Sequence, residues 1–285
     1  MIPLLALAVP LLAPAPARAE APAASTASWK LVWSDEFDGR HFALPDKRKW
    51  GYAEGDGGYG NQELEDYCAG GSSAAPCDPK KPNAYLDGYG HLVIKAVKTK
   101  SGKWTSARLN TEKTEKVEYG RVEARMRLPS AAGLWPAFWL IGVSTEEWPA
   151  CGEIDVMENV MADVPNGLGP GTVQATIHGP GYSGTGGLSK RYRFPGGGRV
   201  DDGWHEYGAI WSPGRVSFYV DDWTKPYFTV SRADLPEGKP WVFDRPFTFI
   251  LNLAVGGSWP KDPNASTPSP SVMLVDYVRA YRAAN

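Results

Sequence analysis

The order of apolar and polar positions reads as strands joined by turns along most of the chain. KLVWSDEF, YGHLVIKAV, YGRVEARMRLP, LWPAFWLIG, CGEIDVME, VQATIHG, HEYGAIWS, RVSFYVDD, PFTFILNLAV and MLVDYVRAY all carry strand patterns. The joins hold Gly, Pro, Asn or Asp, as in DGYG, PSAAG, GPG, SPG and PGGG. No long segment places apolar residues at helical spacing, and no internal repeat is visible. MLVDYVRAY is as well patterned as KLVWSDEF, so one sheet is expected to use both ends of the chain. No linker divides residues 29–285. The expectation is an all-β chain folded as one antiparallel β-sandwich.

CGEIDVMEN does not fit a plain strand. Its acids, Glu153, Asp155 and Glu158, are spaced by two and then by three. On a helix Glu153 and Glu158 lie roughly 140° apart and share no face. On a strand, period two puts Glu153 and Asp155 together but predicts Met157, not Glu158, as the next member of that face. One extra residue near Val156–Met157 removes the conflict, because a β-bulge re-aims the side chains that follow it. All three acids then share one face and Ile154 turns to the core. Clustered carboxyls repel unless a proton is shared or a cation is near, so such a face is costly to build without a use. The plainer alternative is a solvated acidic face.

Other strands can supply polar groups to the same surface. YGRVEARM alternates Arg121, Glu123 and Arg125 against Val122, Ala124 and Met126. VQATIHG alternates Gln174, Thr176 and His178 against Val173, Ala175 and Ile177. LWPAFWLIG puts Trp135 and Trp139 on one side with Ala137 between them. A cleft of indoles and carboxyls suits a sugar polymer, whose C–H faces lie on aromatic rings and whose hydroxyls bond carboxylates and amides.

Composition narrows the picture further. The 285 residues include twelve Trp and have a formal net charge of −2. With no basic stripe, neither nucleic acid nor a membrane is an expected partner. Residues 1–19, MIPLLALAVPLLAPAPARA, resemble a secretory signal peptide ending in an A-x-A pattern, although no basic n-region precedes the apolar run. An Ala/Pro/Ser-rich stretch over 20–28 reads as a disordered linker, and a secreted or periplasmic location follows. Cys68 and Cys77 flank the turn-rich loop CAGGSSAAPC and are expected to form a disulfide in that setting. Cys151 is the odd cysteine, on the side of Glu153 by parity.

GLWPAFWL, WPACGEIDVMENV, TIHGPGYSG and FILNLAVGGSWP together resemble glycoside hydrolase family 16, in its bacterial endo-β-1,3-glucanase (laminarinase) form. The likeness runs from about Trp33 to Tyr281. It implies a jelly-roll sandwich with a concave substrate cleft, acting as a monomer on β-1,3-glucan with no cofactor for catalysis. It implies Glu153 as nucleophile, Glu158 as general acid/base and Asp155 as the residue that tunes Glu153. Asn61, Glu123, Arg125, Trp135, Trp139, His178 and Trp259 match substrate-contacting or orienting positions. A structural calcium would be held by the Glu36 and Gly90 carbonyls and Asp276, oxygen donors of the kind calcium takes. The alternatives within the family are a mixed-linkage β-1,3-1,4-glucanase or a transglycosylase. Outside it stands a non-catalytic carbohydrate-binding module, which has no need of the acid pair. The loop GSWPKDP departs from the family pattern, in which a Gly often follows WP.

Overall fold

Alternating β-branched and aromatic residues bounded by Gly, Pro and Asp build strands throughout, and little else. The computed structural model describes residues 28–161 and 167–284; the leader-like segment 1–19 and the stretch 20–27 lie outside the described residues. In chain order the strands are β1 (Trp29–Asp35), β2 (Gly51–Ala53), β3 (Glu65–Tyr67), β4 (Ala84–Leu86), β5 (Leu92–Lys98), β6 (Trp104–Ser106), β7 (Arg108–Asn110), β8 (Gly120–Arg127) and β9 (Leu134–Gly142). They continue as β10 (Glu153–Glu158), β11 (Thr172–His178), β12 (Leu188–Arg193), β13 (His205–Ser212), β14 (Arg215–Val220), β15 (Phe228–Ser231), β16 (Phe247–Val255) and β17 (Ser271–Ala283). No helix among the described residues is long and apolar enough to cross a membrane.

The strands form two sheets. The larger follows the order β15-β14-β13-β8-β17-β5-β6-β3, with β1 also paired to β17 and β4 to β5. The first and last strands therefore do pair, Trp29 opposite Ala283 and Asp35 opposite Val278. The smaller sheet runs β12-β11-β10-β9-β16-β7-β2. Pairing is antiparallel except between β3 and β6. The sheets face each other across one apolar core, to which β8 gives Val122, Ala124 and Met126, β9 gives Phe138 and Leu140, and β10 gives Ile154, Val156 and Met157. All nine residues of β16 are buried. That strand is covered by the core on one face, and on the other its Ile250 and Asn252 line a cleft.

The ten patterned segments all appear as strands. The remaining seven were not visible as periodicity, for two reasons. Five of them, β2, β3, β4, β6 and β7, have three residues each, too few to display an alternation. β15 is hardly longer, at four residues, and the edge strand β12 is largely exposed, so no apolar face marks it.

A correction concerns β8. The polar side of YGRVEARM was expected to face the cleft, but β8 lies in the larger sheet between β13 and β17. Glu123 is buried on that sheet's outer face, where its carboxylate accepts Tyr219 Oη at 2.6 Å and Tyr281 Oη at 2.7 Å and pairs with Arg121 at 3.1 Å. Tyr219 reaches it by lying flat over Gly208, where a Cβ would come within 2.2 Å of the ring. Arg125 pairs with Asp276 and lies over the Trp204 ring. Alternation shows that a strand has a polar face; it does not show which sheet receives the strand.

The Cys68–Cys77 disulfide is formed and Cys151 is a buried free thiol. The bond closes a loop with a sequence separation of 9. The chain-entropy model then gives a stabilisation of ~2.5 kcal/mol, through restriction of the unfolded chain. The double variant Cys68→Ser, Cys77→Ser is expected to lose that amount in chemical denaturation while keeping its activity at low temperature. A denaturation midpoint unchanged from the oxidised parent would contradict this.

Candidate active site

Strand β10 carries the irregularity that the acid spacing implied. Asp155 lies opposite Thr176 on β11 and Trp139 on β9, while Glu158 lies opposite Gln174 and Ala137. Three steps along β10 thus match two steps along each neighbour, which is a bulge of one residue. Glu153, Asp155 and Glu158 all line one cleft, with Ile154, Val156 and Met157 behind them in the core. The cleft has a volume of about 350 Å³, within the usual size range of ligand sites.

The three acids have different surroundings. Glu158 is 8% exposed. Its Oε1 accepts the indole N–H of Trp135 at 3.0 Å, and its Oε2 lies 3.5 Å from the Thr176 hydroxyl. Burial, reinforced by the neighbouring Asp155, pushes the Glu158 carboxyl up to about 8. Asp155 is buried between the others, and desolvation raises it well above the carboxylate range. Its Oδ2 sits 3.2 Å from His178 Nε2, which is also 3.7 Å from Glu153 Oε1. Glu153 is raised as well, by burial first and then by Asp155. Three adjacent carboxyls in a dry site cannot all be charged. Glu153 is the most exposed of the three, with 16% of its side chain in solvent and His178 3.7 Å away, so water reaches its carboxyl best. Glu158, raised to about 8, then holds a proton near neutral pH. Glu153, Asp155 and His178 offer ligand atoms within 4.8 Å of one another, a donor set also able to hold a divalent cation.

His178 is itself held by the fold. A Cβ on Gly187 would stand 2.4 Å from His178 Cε1 and 2.5 Å from Nδ1, so only glycine at 187 lets the ring lie where it does. The Trp139 indole donates to Asn252 Oδ1 at 2.8 Å. Trp259 packs edge-on against Trp135, with centroids 5.4 Å apart. Asn61 lines the cleft through the loop before β3. The cleft thus gathers the three acids with Asn61, Trp135 and Trp139, and sets His178 and Trp259 directly against them. Glu123 and Arg125 lie on the other sheet. Asp276 and Glu36, matched to the calcium site, have their carboxylates on Arg125 and on Arg279, the latter at 2.7 Å.

Sequence reasoning missed Arg108 and Trp148. The Arg108 guanidinium lies 4.7 Å from the ring centroids of both Trp139 and Tyr59, within cation–π range. In the structure its neighbours Ala107 and Leu109 are both fully buried, which turns the Arg108 side chain away from the core. Trp148 is 49% exposed at the rim, with its ring 6.1 Å from that of His178. Nothing in its polar loop, STEEWPA, marks it as part of the cleft.

Comparison with known proteins agrees with this geometry. The family model "Glycosyl hydrolases family 16" matches residues 79–279. A beta-glucanase of Rhodothermus marinus is 39% identical over 89% of this chain and 85% of its own length. The endo-beta-1,3-glucanase structure from Pyrococcus furiosus superposes with a TM-score of 0.78 at 39% identity, covering 92% of this chain and 97% of that one. The laminarinase catalytic domain of Thermotoga maritima gives 0.77 at 38%, covering 90% and 99%. The two sheets form the jelly-roll sandwich of these neighbours. The match spans most of the chain, including the bulged acid strand, and the chain belongs to glycosyl hydrolase family 16.

Proposed function

We propose that this protein is an exported endo-β-1,3-glucanase that cleaves laminarin-type glucans with retention of anomeric configuration. The carrying observation is the bulged strand that sets three carboxyls of unequal burial on one cleft. A retaining glycosidase needs one ionised and one protonated carboxyl about 5 Å apart. Glu153, the charged member, attacks the anomeric carbon. Glu158 gives its proton to the departing glycosidic oxygen, so that the C–O bond breaks as the glycosyl–Glu153 ester forms. Glu158, now a carboxylate, takes a proton from water. The water oxygen bonds to the anomeric carbon, and Glu153 leaves as a carboxylate.

Asp155 stays protonated beside Glu153, which limits the charge in the site while the nucleophile is anionic. Trp135 holds the Glu158 carboxyl by its indole N–H. Trp139 and the Arg108 guanidinium above it present a flat surface on which a sugar ring can lie. Export is supported by the signal-like residues 1–19 and by the disulfide. The relatives' names support a β-1,3-glucan as substrate.

A structural calcium at the Glu36 and Gly90 carbonyls and Asp276 belongs to the same proposal. The donor types suit the ion. It would compete with Arg125 for the Asp276 carboxylate and would serve stability, with no part in bond cleavage. Saturating calcium, at about a hundredfold its Kd, is expected to stabilise the fold by about 2.7 kcal/mol and chelation to remove that gain. An identical melting temperature with calcium and with chelator would overturn this assignment.

The acids are tested by substitution. Glu153→Ala is expected to lower laminarin hydrolysis by on the order of 10⁴-fold or more, since no ester can form. Azide should then restore slow turnover of an activated β-glucoside as the α-azide. Glu158→Ala should spare substrates whose leaving group needs no proton, and azide should give the β-azide. Asp155→Asn should weaken turnover without abolishing it. Near-normal hydrolysis by folded Glu153→Ala and Glu158→Ala variants would overturn the roles proposed for these two acids.

A further inference from the structure

The cleft holds a second pair of carboxyls that bond cleavage does not use. Glu63 lines it beside Asn61 and Arg108. Its Oε1 accepts Asn61 Nδ2 at 3.0 Å and its Oε2 accepts the Tyr67 hydroxyl at 2.9 Å. Tyr67 Oη in turn accepts Asn252 Nδ2 at 3.2 Å, and Asn252 Oδ1 accepts the Trp139 indole. A directed row of donors therefore runs from Trp139 through Asn252 and Tyr67 and ends on Glu63. Behind it, on β3, Glu65 is 1% exposed. Its Oε2 accepts the Val255 amide at 2.7 Å, while its buried Oε1 has no hydrogen-bond partner, the nearby Tyr67 hydroxyl donating its proton to Glu63. The Glu65 and Glu63 side chains are within hydrogen-bonding reach of each other.

Two carboxylates cannot bond each other, because both only accept. One proton between them satisfies the orphaned oxygen and removes a buried charge. Glu65 is the more buried partner, whereas Glu63 already receives two donors that favour its anion. We propose that Glu65 is a neutral carboxylic acid whose Oε1–H bonds the Glu63 carboxylate. It would thereby act as the positioning residue that fixes Glu63 and Asn61 toward the hydroxyls of a bound glucan. The proposal rests on the glucanase reading above for the identity of the ligand.

Burial, followed by Glu63, pushes the Glu65 acid up to about 9. The other ionisable groups around the pair are Tyr67, Tyr59 and Arg108. Asp66, next along β3, interacts with Asp56 and Lys103 instead. From β16 the Val255 amide reaches Glu65 directly and Asn252 reaches Glu63 through Tyr67. The sign follows: with Glu65 protonated the pair is locked. As pH rises through about 9 the proton leaves, the two anions repel, and Glu63 loses its fixed position.

Glu65→Gln is the informative variant. Its amide N–H can donate to Glu63 and its amide oxygen can accept from Val255, and it does not titrate. On laminarin its KM is expected within about twofold of the parent near neutral pH and flat in the alkaline range, where the parent's KM climbs. Glu65→Leu removes the donor and should raise KM about tenfold at neutral pH with little change in kcat. The resting parent should also show, near neutral pH, a component of infrared carboxylic-acid carbonyl absorption, beyond that of the acids on β10, that Glu65→Gln lacks. That readout needs no substrate, so a parent inactive on laminarin would sink the glucanase reading and leave the protonation to be judged by its own band. The proposal is overturned if the infrared spectra do not differ in this band, or if the Gln variant's KM climbs with pH as the parent's does.

Discussion

The site depends on one surplus residue in β10. A regular strand would send Glu158 into the core and Met157 into the cleft, leaving a buried carboxylate without a partner and an apolar side chain where a polymer should lie. With the bulge, Ile154, Val156 and Met157 all reach the core and the three acids all reach the cleft. Pairing on both sides holds the distortion in place: β9 and β11 each lose one step of register at the same point. The bulge is thus set by two neighbouring ladders, and the three acids of the cleft sit on a strand paired on both sides.

Crowding like charges in a dry cleft has an energetic consequence. Carboxyls raised in the folded state bind protons that the unfolded chain has already released. Between the ordinary carboxylate range and about pH 8 the unfolded state therefore binds fewer protons at Glu158, and stability falls as pH rises across that window. The fold tolerates this cost because the two sheets bury a continuous apolar core. The same disparity in burial provides chemistry, since it keeps a proton on Glu158 at a pH where an exposed Glu has lost it.

Much of this was legible in the sequence, and the reasons differ by residue. The spacing of Glu153, Asp155 and Glu158 conflicts with any regular element, so the bulge could be read directly. Trp135 and Trp139 share a face by parity and both reach the cleft. The destination of Glu123 and Arg125 could not be read, because alternation is the same in either sheet and only the pairing of β8 with β13 and β17 decides it. Arg108 and Glu65 were hidden in three-residue strands. Glu65 stands among polar residues in GNQELED, and the partner that receives it, the Val255 amide of β16, lies 190 positions away in sequence.

The central claim is that burial on the bulged strand keeps Glu158 protonated at neutral pH. The most direct test is a pH titration of the Glu158 carboxyl carbon by NMR in ¹³C-glutamate-labelled enzyme, assigned by its loss in Glu158→Gln. The account predicts a midpoint near 8, with the enzyme still folded throughout. A midpoint in the ordinary glutamate range, about 4.3, would contradict it.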